Sequence, residues 1–71
     1  MKSIDCNTDA ARALLLAQPN ARIRNIPNNA LWRIDLDDCV AIAFKDSVLP
    51  QGKNPQRIAE LLRPLNEALL L

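Results

Sequence analysis

Five residues near the end of the chain constrain the fold most. Ile58, Leu61, Leu62, Leu65 and Leu69 recur at i, i+3, i+4, i+7 and i+11, one continuous stripe on an α-helix. Arg57, Glu60, Arg63, Asn66 and Glu67 fall on or near the other side. Asn54 is a good N-cap. Pro55 is a good first helical residue, because an N–H there would have no helical partner in any case. A helix with a single apolar stripe needs a second layer to lay it on. Pro64 is the irregularity. It removes the hydrogen bond to the carbonyl of Glu60, at about 3 kcal/mol in an ordinary interior, so the helix is expected to bend or to split there.

The second layer is legible upstream. Residues 30–36 alternate, with Trp32, Ile34 and Leu36 on one face and Arg33 and Asp35 on the other, as in a half-buried strand. Residues 39–44 are apolar on both faces, which suits a central strand. Residues 21–26 alternate as well, Ile23 facing opposite to Arg22 and Arg24. Pro27-Asn28-Asn29 and Asp37-Asp38 mark the reversals between them. Neither reversal carries Gly, so neither is an ideal two-residue turn. Aligning the bulky faces favours pairing Leu36 with Val40 rather than with Cys39, since a slip of one residue turns a whole face over. On that register Ile23, Trp32, Ile34, Val40, Ile42 and Phe44 form the core. Residues 46–55, with Pro50, Gly52, Asn54 and Pro55, read as a connecting loop.

A first helix is expected over residues 9–18. Thr8 is placed to cap it, Asp9 suits its positive end, and Pro19 stops it. Its apolar residues run nearly all round, which predicts burial on several sides. Residues 1–5 could add a short leading strand. The order helix, strand, strand, strand, helix gives an α+β two-layer sandwich on an antiparallel sheet. At 71 residues it makes one domain, 1–71.

Composition narrows the function classes. Apolar residues make up 49% of the chain but aromatics only 3%, so the core is aliphatic. No apolar run approaches the roughly 20 residues of a membrane span, and Asp5 interrupts what would be a signal peptide. Cys6 and Cys39 have no Cys-x-x-Cys spacing and no His beside them, which reads as two buried thiols in a reducing cytoplasm. The chain holds no His, the usual general base near neutral pH, and no Tyr, another proton donor, and no nucleophile sits beside a recognisable base. An enzyme is therefore not expected, nor a cofactor, nor a small-molecule substrate. Asp35, Asp37 and Asp38 are the one oxygen cluster that could attract a divalent metal, but they read as a solvated turn, and no metal site is assigned.

Two binding surfaces remain. Residues 20–33 carry Arg22, Arg24 and Arg33 with no acid among them, and Lys53 and Arg57 flank the start of the last helix. Such a patch grips phosphates or acidic side chains. Double-stranded-RNA-binding domains have the same helix–strand–strand–strand–helix order, and the chain resembles them in topology. Their last helix begins with a lysine cluster; here the corresponding run is Lys53-Asn54-Pro55-Gln56-Arg57, with two basic residues only. Trp32 and Phe44 fall on the inferred core faces, which argues against a single-strand binder with aromatic platforms.

The other surface is apolar. Leu16 falls off the best face of the first helix, and Leu69, Leu70 and Leu71 carry the chain apolar to its last residue. Contiguous apolar surface marks association. A cytoplasmic, non-enzymatic protein-binding module, homodimeric through these leucines, is the leading expectation, with nucleic-acid binding by the arginines as the alternative. The Met1 start and self-contained capping fit a small complete reading frame, of the kind used for accessory or inhibitory factors of bacterial or mobile-element origin.

Overall fold

A computed structural model describes residues 2–69. The elements in order are β1 (Ile4–Asp5), α1 (Thr8–Leu16), β2 (Arg22–Ile23), β3 (Trp32–Asp35), β4 (Cys39–Ala43), β5 (Ser47–Gly52) and α2 (Pro55–Leu69). The strands form one antiparallel sheet in the order β1-β5-β4-β3-β2. The helices pack on each other and on one sheet face, α1 against β3 and α2 against β1, β4 and β5. This is the α+β two-layer sandwich that the patterning called for, with the leading strand present. Among the described residues no helix is long and apolar enough to cross a membrane.

The register differs from the bulky-face alignment. Leu36 N–H donates to the Cys39 carbonyl at 2.8 Å across a two-residue turn, Asp37-Asp38. Trp32 then faces Ala43, and Ile34 faces Ala41. The face beneath the helices is therefore Trp32, Ile34 and Leu36 together with the small residues Cys39, Ala41 and Ala43. Small side chains on β4 make room for Ile58 and Leu62 of α2, both fully buried. Val40, Ile42 and Phe44 point to the opposite face and lie outside the core cluster. Ile23 is not core either. It is 50% exposed on β2, the edge strand, where the cover of the helices ends.

Residues 47–52 are a strand rather than a loop. Phe44 N–H donates to the Ser47 carbonyl at 2.8 Å across a second tight turn, and Val48 and Pro50 enter the core side. Hydrogen-bonded and non-bonded pairs alternate in an antiparallel ladder, so Pro50 falls in a non-bonded pair with Ala41. Its missing N–H faces the side that β1 no longer reaches, since β1 pairs only with Ser47 and Val48. The proline therefore costs the sheet no hydrogen bond.

The helix ends follow ordinary rules. Asn7, not Thr8, caps α1: its Oδ1 accepts from the Ala10 N–H at 2.9 Å. Thr8 is the first helical residue and is buried. The helix buries one stripe, Thr8, Ala11 and Leu15, rather than several sides. α2 runs unbroken through Pro64, which lies on the exposed side together with Glu60. Water can therefore satisfy the carbonyl that the proline leaves unpaired. Asn66 Nδ2 donates to the Asp5 carbonyl at 2.9 Å and ties α2 to β1.

Candidate nucleic-acid interface

The helices cover one face of the sheet and leave the other open. Register fixes what stands there. Arg22 lies opposite Asp35, which lies opposite Val40, which lies opposite Gln51. One row along, Arg24 N–H donates to the Arg33 carbonyl at 3.1 Å, and Arg33 continues to Ile42 and Leu49. The three arginines thus share the β2–β3 half of the face, with Asp35 as the acid among them. The β4–β5 half is apolar: Val40, Leu49 and Phe44 are half-buried, and Ile42 is nearly covered by its neighbours on that face.

Asp35 is 18% exposed, accepts hydrogen bonds from Arg33 and lies within ion-pair distance of Arg24. Arg33 Nε reaches Oδ1 at 2.9 Å and its Nη2 reaches Oδ2 at 3.3 Å; Arg24 Nε lies 3.3 Å from Oδ2. Arg24 remains 59% exposed. The Arg24 pair, with its guanidinium so open to water, is worth about 0–1 kcal/mol and leaves Arg24 free to turn, whereas Arg33 holds Asp35 through two part-buried hydrogen bonds. Arg22 has no acidic partner within ion-pair distance among the described residues.

At the end of the sheet nearest the Asp37-Asp38 turn the face deepens into a groove of about 590 Å³. Arg22, Arg24 and Lys53 line it, and so do Asp35, Asp37 and Asp38. The groove is therefore balanced in charge; it takes in Arg22 and Arg24, and Arg33 stands on the sheet face beside it. Arg57 is not in the groove. Its Nη1 holds Asp38 Oδ1 at 2.9 Å, while Asn54 Nδ2 donates to Asp38 Oδ2 at 3.2 Å and Asn54 N–H to the Asp38 carbonyl at 2.9 Å. Those donors, Arg57 first and Asn54 second, hold the Asp38 carboxyl below its ordinary 3.8. Asp38 thus clamps the start of α2 to the β3–β4 turn.

The three carboxylates line one groove, but each is engaged by a different partner. Asp35 is engaged by arginines, Asp38 by α2, and Asp37 Oδ2 accepts from Asn20 at 3.2 Å. Among the described residues no group of three His, Cys, Asp or Glu side chains is arranged to hold a metal ion. Cys6 and Cys39 are free and buried. Burial, and then the Asp38 carboxylate beside it, push the Cys39 thiol up to about 11.

The leucines of the expected apolar interface scatter. Leu16 is half-buried and packs on the core, and Leu69 is 55% exposed at the end of α2. Leu70 and Leu71 lie outside the described residues. What the sequence reasoning missed is which residues make the open face of β4 apolar: Val40, Ile42 and Phe44 stand there, and the small Cys39, Ala41 and Ala43 face the helices. The signal was present in the small–large alternation from Cys39 to Phe44, where the small residues mark the side that a helix approaches.

No family model matches this sequence, and no solved structure matches it. A curated protein does. The chain is 30% identical over 64 residues to Ribonuclease HI of Halobacterium salinarum. The match covers 90% of this chain and 32% of that protein, so the chain spans about a third of the relative's length.

Proposed function

We propose that the chain is a nucleic-acid-binding module that grips phosphates with Arg22, Arg24 and Arg33 and does not itself cleave. The observation that carries this reading is the register. It gathers the three arginines on the one sheet face that no helix covers, with a single aspartate between them. Arg22, which has no acidic partner among the described residues, and Arg24, whose ion pair is exposed, can turn to a phosphate at little cost, while Arg33 presents the guanidinium edge that Asp35 leaves free. The similarity to part of a ribonuclease, a protein that acts on RNA, supports the same class of ligand. The non-catalytic half of the proposal rests on the absent His and Tyr and on carboxylates engaged in separate contacts. Lys53 adds a cation at the groove, whereas Arg57 serves the fold. Two buried free thiols are in keeping with a cytoplasmic setting.

Fluorescence anisotropy with labelled RNA and DNA at about 50 and 200 mM salt tests it. Each phosphate contact releases counterions, so affinity is expected to fall with salt. Removing Arg22 and Arg24 should lower the slope by about one unit each. No binding to any of these oligonucleotides at ~50 µM protein ends the proposal.

A second reading is protein association, with a homodimer as its simplest form. Leu69, 55% exposed at the end of α2, favours it. A monomer mass by light scattering at ~100 µM would remove the homodimer.

A further inference from the structure

We propose that the nucleic acid taken by the open face is single-stranded, with phosphates on Arg22, Arg24 and Arg33 and bases against the half-buried Leu49 and Phe44, which Ile42 supports from beneath. This rests on the binding reading above and goes beyond it by naming the strand state.

The row Arg24–Arg33–Ile42–Leu49 crosses four neighbouring strands, changing from charge to hydrocarbon half-way. At about 4.8 Å per strand the row is ~14 Å long, so both halves lie within reach of one strand of nucleic acid. Phe44 stands on the same apolar half, away from the helices and outside the core cluster. Single strands offer what such a face can use: a charged backbone on one side and free base planes on the other. A duplex hides its base planes in the stack. It would engage the arginines and leave the apolar half in water. A flat sheet also lacks the protruding helix or ribbon that enters a groove.

The experiment is anisotropy at about 50 mM salt with four labelled 12-mers: single-stranded RNA, single-stranded DNA, a duplex, and an abasic sugar-phosphate strand. The natural chain and Phe44→Leu, checked for fold by circular dichroism, are compared. The expected result is at least ~10-fold tighter binding of the normal single strands than of the duplex or the abasic strand. Phe44→Leu should weaken the single strands by about fivefold or more and leave the abasic strand unchanged. Equal affinity for the abasic strand or the duplex overturns the single-strand assignment while leaving phosphate binding standing. A folded Phe44→Leu with unaltered single-strand affinity does the same. If Phe44→Leu does not fold, the abasic comparison on the natural chain decides. Absence of binding to all four overturns both proposals.

Discussion

Gly52→Ala should be the most damaging small change in this chain. Gly52 closes β5 opposite Cys39 and has φ +97°, a conformation that costs an L-residue about 1–3 kcal/mol. A Cβ built there would lie 2.9 Å from Cys39 Cα, 3.3 Å from the Asp38 carbonyl oxygen and 3.4 Å from the Cys39 carbonyl carbon. Carbon atoms in optimal contact stand about 3.5–4.0 Å apart, and all three neighbours here are backbone. Relief therefore requires prising β5 from β4, beside the carbonyl through which Asp38 holds α2. Strain and clash together put the loss at about 2–4 kcal/mol, less the few tenths that alanine returns by stiffening the unfolded chain. A core of this size supplies roughly 3–5 kcal/mol, so the variant would stand near its folding threshold. At about 4–8 °C per kcal/mol, the midpoint should fall by roughly 10–30 °C. Thermal melts followed by circular dichroism, and urea titrations followed by the fluorescence of the buried Trp32, measure it. Gly52→Asn separates the causes, because asparagine tolerates positive φ but still brings a Cβ. Lys53→Ala, next in sequence and exposed, should move stability by no more than ~0.5 kcal/mol. A Gly52→Ala midpoint as little changed as that of Lys53→Ala would refute the reasoning.

Three further outcomes are expected. Asp38 is held below 3.8 when folded, so the unfolded chain binds its proton more readily; stability from this clamp is complete above the ordinary value and is lost as the pH falls through 3.8 and below. Urea midpoints from about pH 6 to pH 3 should therefore drop less in Asp38→Asn than in the natural chain, and equal drops would exclude the clamp as an acid-labile contact. With Cys39 pushed up to about 11, roughly one thiol in a thousand is ionised at pH 8, and both thiols are buried; Ellman's reagent should label neither until urea unfolds the chain. Pro64→Ala restores an amide on the exposed side of α2 and should stabilise the fold by up to about 3 kcal/mol; a lowered melting midpoint would refute this.

Local chemistry made much of the fold readable. The stripe from Ile58 to Leu69, the Asn54-Pro55 start and the stop at Pro19 each act within one or two turns of chain, where spacing alone decides. The alternation around Trp32 and Ile34 did the same for β3, and Arg22, Arg24 and Arg33 were readable as one facing group. Three things were not. β5 was hidden because Pro50 and Gly52 speak for a loop everywhere except in the places they occupy, a non-bonded pair on a free margin and a close approach at positive φ. The face of β4 was hidden because both its faces are apolar, so no alternation of polarity chose between them. The role of Arg57 was hidden because its partner Asp38 lies 19 positions away.

The sequence by itself therefore determined the two helices, the three strands between them, their order and the absence of His and Tyr, since these follow from residue types at short separation. Only the tertiary structure decided which side of β4 meets the helices. That choice depends on how closely α2 can approach, and the two-residue turn at Asp37-Asp38 sets it by pairing Leu36 with Cys39. One step of register turned Ile42 and Phe44 to the face away from the helices, Ile42 still buried and Phe44 half-buried, and set them beside the arginines. It converted an ordinary charged sheet surface into a face that is half cationic and half apolar.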